Sequence, residues 1–105
     1  MESKIYYNYK KQPVGELRNG IYVKRVNPKK HFMKIYQGYG ISASIFKELK
    51  ENGCKEIRLN TGDDLYRIAM EDFERHSIKA NYEDPQIFCP LKWFTSKNSK
   101  QKSLL

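Results

Sequence analysis

Apolar and polar residues follow two rhythms along this 105-residue chain, and each predicts its own kind of element. Two-residue alternation marks strands. In IYVKRV, residues 21 to 26, Ile21, Val23 and Arg25 fall on one side and Tyr22, Lys24 and Val26 on the other. Asn27-Pro28 signals a turn, and HFMKIY, residues 31 to 36, resumes the alternation with Phe32, Lys34 and Tyr36 opposite His31, Met33 and Ile35. A hairpin closed around NPKK is the expectation. Helical spacing follows in SASIFKELKENG: Ser42 stands at the N-cap, Ile41 and Phe46 are placed for a hydrophobic staple, and Gly53 supplies a left-handed stop. Its buried stripe is Ile45, Phe46 and Leu49, with Lys47, Glu48, Lys50 and Glu51 facing water.

The rhythm then returns to two. KEIRLN, residues 55 to 60, points Ile57 and Leu59 inward, NTGDD turns at Gly62, and LYRIAM runs back as a partner strand. A short helix from Met70 to His76 is marked by Glu71 and Asp72 at its start and by Phe73 as its apolar anchor. A last hairpin follows: SIKANY, a turn at Glu83-Asp84-Pro85, then QIFC, with Pro90 and LKWF closing the domain. The opening, MESKIYYNYKKQPVG, alternates Ile5, Tyr7 and Tyr9 with Tyr6 and Asn8 before Lys10-Lys11-Gln12-Pro13 ends it. It reads as either an edge strand or a mobile basic arm over residues 1–14. TSKNSKQKSLL, residues 95–105, is polar and without period, and is expected to fray. The resulting order, β-β-α-β-β-α-β-β, predicts one α+β domain over residues 1–94. Its sheet is expected to be mostly antiparallel, with the main helix packed on one face.

Composition agrees with a folded chain. Hydrophobic residues make up 39% and aromatics 13%, more than a disordered segment carries, and the length suffices for one core. The two cysteines, Cys54 and Cys89, form no CxxC pair and no disulfide framework. No apolar run reaches signal-peptide or membrane-span length. A soluble, cytoplasmic protein with no membrane partner is therefore expected.

Charge sharpens the picture most. The formal charge is +8, and residues 1 to 50 carry eleven basic side chains against three acidic ones, whereas 51 to 105 carry nine of each. That asymmetry points to a polyanionic partner, DNA or RNA, because clustered cations gain from counterion release on phosphates. A solubility device is the plainer account. Residues 24 to 40 hold five cations among aromatic rings, so Lys24, Arg25, Lys29, Lys30 and Lys34 are the candidate phosphate contacts. Lys10 and Lys11 add a basic arm. Tyr22, Phe32, Tyr36 and Tyr39 are the candidates for stacking on bases. The alternative from another class is an inhibitor or adaptor whose basic face docks an acidic protein partner, anchored by Trp93 and Phe94. The sequence does not decide between monomer and dimer.

Other chemistry is thinner. QGYG, residues 37 to 40, precedes a helix and could cradle an anion, yet it matches no phosphate-loop spacing and reads as punctuation. His31, His76, Cys54 and Cys89 are zinc-ligand types without the close pairs a structural site uses, so no metal is expected. Asp63, Asp64, Glu71 and Asp72, with Lys55 or Arg58, would serve a metal-dependent nuclease only if folding brought them together. His31 beside Lys29 and Lys30 is the sole hint of metal-free RNA cleavage. No catalytic residue and no cofactor is assigned.

Overall fold

Asn19 and Gly20 both take positive φ, 55° and 78°, and so form the two-residue turn whose twist matches that of paired strands. This turn joins β2 (Pro13–Arg18) to β3 (Ile21–Arg25), with Arg18 opposite Ile21. The computed structural model describes residues 3–7, 10–26, 38–62, 64–80 and 85–98, and forms a small, mostly antiparallel α+β domain with two helices among them. Ser3–Tyr7, β1, is an edge strand paired antiparallel with β2. Lys10 and Lys11 lie in the connection between β1 and β2.

Among the described residues the strands form two sheets where one was expected. One has six strands in the order β1-β2-β3-β5-β6-β9; the other has three, β4-β8-β7. Here β4 is Gly38–Ser42, β5 Glu56–Asn60, β6 Asp64–Ala69, β7 Ile78–Ala80, β8 Gln86–Pro90 and β9 Thr95–Asn98. After β3 the chain passes through the smaller sheet and helix α1 (Ala43–Glu51) before returning as β5, so β3 and β5 pair in parallel. Because β3 lies between β2 and β5, the place of the expected 31–36 partner is already taken. The two-residue Asn19-Gly20 turn closes at lower entropic cost than a longer loop and fills that side of β3 with β2. Residues 31–36 themselves lie outside the described residues.

Several elements fall where alternation put them. β5 and β6 form the expected hairpin, helix α2 spans Met70–His76, and β7 pairs with β8. α1 ends at Asn52 and Gly53, with Gly53 at φ 80°. Ser42 makes no side-chain cap to the backbone; its hydroxyl lies 3.1 Å from that of Ser44. QGYG is no loop. Gly38 opens β4, where a Cβ would run into the Phe88 ring and lie 2.6 Å from the Cys89 carbonyl oxygen, so close packing against β8 accounts for the glycine. Thr95–Asn98, within the stretch expected to fray, pairs with β6 as the far edge of the large sheet.

Tyr22, Phe73, Leu49, Ile57, Leu59 and Cys89 are the largest fully buried side chains, in one apolar cluster fed by both sheets and both helices. Phe73 contacts Phe46 and Phe94, with ring centroids 5.6 and 6.2 Å away. The buried residues described in the six-stranded sheet, Tyr6, Leu17, Tyr22, Ile57, Leu59 and Ile68, project from one of its faces. Among the described residues no helix is long and apolar enough to cross a membrane.

Candidate nucleic-acid interface

The other face of the large sheet looks into water, and its side chains follow from register alone. Partners in a ladder share a face, and the face alternates with each residue along a strand. One row crosses all six strands: Ile5, Glu16, Val23, Arg58, Arg67 and Thr95. A second row holds Ser3, Arg18, Ile21, Glu56 and Ala69, and a third includes Arg25, Asn60 and Leu65. Four arginines from β2, β3, β5 and β6 therefore share this surface with two glutamates. Ile5 is 47% exposed and Val23 40%, so the apolar members are not a covered core.

Glu56 organises the centre. Its carboxylate accepts from Arg67 Nε at 2.7 Å and from Arg58 Nε at 3.0 Å, and these two guanidinium groups, Arg58 first, hold its carboxyl below the usual glutamate range. Arg58 also donates from Nη2, at 3.5 Å, so three of its five N–H donors and four of those of Arg67 remain for another acceptor. Arg18 leans more loosely on Glu16, at 3.4 Å. Among the described residues no carboxylate pairs with Arg25. The electrostatic result is an arginine-rich sheet face whose two central guanidiniums are held in place by one carboxylate.

Beside this face, at the β6–β9 end, a cleft of about 330 Å³ is lined by Lys55, Glu56, Arg67, Asp72, Trp93 and Thr95. Trp93 sits on a 3₁₀ turn, Leu91–Trp93, and is 43% exposed. The His76 ring stacks on it, 3.7 Å away and 3° from parallel, and Lys92 Nζ lies 5.2 Å from its centroid.

The structure treats the residues singled out in the sequence unequally. Tyr22 and Tyr39 are core residues, 1% and 6% exposed, and burial pushes both phenols up, so neither offers a face for stacking. Alternation had put Lys24 on the same side as Tyr22, and that side is the core. Its ammonium is half-buried there and desolvation lowers its pKa, while Arg25 points the opposite way. Adjacent cations of one strand thus serve different faces. Lys29, Lys30, Phe32, Lys34 and Tyr36 lie outside the described residues. Phe94 is buried at 8% against Phe73, which removes it as a partner anchor and leaves Trp93.

Sequence reasoning missed Arg18, Arg58 and Arg67 as members of one surface. The alternation in RLNTGDDLYR was visible, but the pairing that sets Arg58 opposite Arg67 is a property of the folded hairpin. The acids considered for a nuclease are carried apart: Asp64 opens β6 and Asp72 lies beyond its far end, about five strand steps or ~17 Å along the sheet. Asp63 lies outside the described residues. Among those described, no three of His, Cys, Asp and Glu converge as metal ligands do. A scan against protein-family models, a search of curated proteins and a search of solved structures each find no match.

Proposed function

We propose that this protein is a nucleic-acid-binding accessory or regulatory factor that lays a DNA or RNA strand across the outer face of its six-stranded sheet. The observation that carries the reading is the arginine set Arg18, Arg25, Arg58 and Arg67, drawn from four adjacent strands onto one solvent-facing surface. Guanidinium groups suit phosphates because their forked donors match phosphate oxygens in pairs. Six strands at ~4.8 Å spacing make a platform ~24 Å wide, enough to hold a short run of backbone. The net charge of +8 adds long-range attraction for a polyanion. Phosphate contacts of this kind position a strand without reading its bases, so sequence selectivity is weak.

The test is a salt series with a random-sequence, fluorescein-labelled 12-mer. With three to four phosphates neutralised, log K falls against log salt with a slope of about −2 to −3 on single strands. Arg18→Ala combined with Arg25→Ala weakens binding and flattens that slope by about 1.4 units. Absence of binding at low salt would reject the reading and favour an acidic protein as the partner of the same basic surface. Loss of the labelled strand with Mg²⁺ present would instead bring back a nuclease.

A further inference from the structure

We infer that the cleft beside Trp93 is a stacking pocket for one unpaired nucleobase, which makes the protein selective for single strands; this rests on the reading of the sheet face as a nucleic-acid surface. Continuity is the first argument. Glu56, Arg67 and Thr95 belong to the rows of the outer face and also line the cleft, so a backbone held by Arg58 and Arg67 passes the cleft mouth. Size is the second, since about 330 Å³ lies within the ~300–1,000 Å³ usual for small-molecule sites.

The third argument is how the indole is held. Trp93 is exposed, yet its neighbour Phe94 is anchored in the core against Phe73, and His76 stacks parallel to the indole ring. The ring plane is set before any ligand arrives, which reduces the ordering cost of stacking. Charge is the fourth. The cleft holds Lys55 and Arg67 against Glu56 and Asp72, and both acids are already engaged, Glu56 by Arg58 and Arg67 and Asp72 by Arg75. A wall so balanced suits a neutral, planar, polar ring better than a bare phosphate. Lys55, without a carboxylate partner among the described residues, is the cation left for the attached phosphate. A base paired inside a duplex is unable to enter.

The chain has a single tryptophan, so its emission reports on this pocket directly. Titration with AMP quenches the emission saturably, whereas ribose 5-phosphate, which lacks the base, leaves it unchanged. Trp93→Ala lowers affinity for the single-stranded 12-mer by about five-fold or more and leaves duplex affinity unaltered; Trp93→Phe recovers most of the loss. Circular dichroism and thermal unfolding on both variants confirm a retained fold. Equal quenching by the two small molecules, or wild-type single-strand affinity in Trp93→Ala, would overturn the pocket while leaving the sheet surface standing. Failure of wild-type protein to bind either form of the 12-mer would remove the surface itself.

Discussion

Glu56 is the residue whose replacement discriminates best, because it should make binding stronger while making the protein slightly weaker. Its carboxylate sits between Arg58 and Arg67 at the centre of the outer face, 3.0 and 2.7 Å from their Nε atoms. A phosphate reached by the far ends of those guanidiniums would lie roughly 7 Å from the carboxylate, where two unit charges repel by about 0.6 kcal/mol in water and about 1.2 kcal/mol at half that dielectric constant. Glu56→Gln removes this repulsion and keeps the side-chain shape, so oligonucleotide affinity should rise by about three-fold to eight-fold. The same change loses a surface ion-pair network worth about 0.5–1 kcal/mol. Because folding lowers the carboxyl pKa, that stabilisation is complete above the ordinary glutamate value of about 4.3 and disappears as pH falls through the lowered one. The stability gap between wild type and variant should therefore close in acid. Fluorescence anisotropy with the 12-mer and urea unfolding from pH 7 down to pH 3 supply both readouts. Weaker binding by a folded Glu56→Gln protein would refute the electrostatic argument.

Lys24→Met should leave oligonucleotide affinity unchanged and raise the unfolding temperature at pH 7, since it relieves a half-buried ammonium on the core side; the advantage shrinks as pH climbs through the lowered amine pKa, and a large loss of affinity would contradict the facing assigned to this residue. Phe73→Ala removes a fully buried ring in contact with Phe46 and Phe94 and should cost about 3–5 kcal/mol by urea unfolding, a large part of the ~5–15 kcal/mol typical of a domain. Burial pushes the Cys89 thiol up to about 11 and raises that of Cys54, so an aromatic disulfide reagent at pH 8 should label neither until urea is added. Rapid labelling of the native protein would place a thiol at the surface instead.

Local signals carried most of the elements. Helix α1, the β5–β6 hairpin, helix α2 and the β7–β8 hairpin each announce themselves within fifteen residues, through turn residues, glycines and period. The division into two sheets was not legible, because it depends on which strands meet after long excursions: β3 finds β5 in parallel across thirty intervening residues. Gly38 and Gly40 resemble loop punctuation in sequence and become strand residues only because Phe88 and Gln86 occupy the space their side chains would need. Asn19-Gly20 was a readable hairpin signal overshadowed by the basic stretch that follows it. Charge counting misled in a similar way. The second half of the chain looks neutral by number, yet it supplies Arg58 and Arg67, which folding sets beside Arg25 while turning Lys24 inward.

The central claim is about which face meets the ligand, and backbone amide shifts in a ¹H–¹⁵N spectrum, followed while a single-stranded 12-mer is titrated in, test it most directly. The account predicts that the largest changes fall on Arg18, Val23, Arg25, Arg58 and Arg67, with the Trp93 indole N–H moving as well, while β4, β7 and α1 stay nearly still. Changes concentrated on α1 and the three-stranded sheet would contradict it.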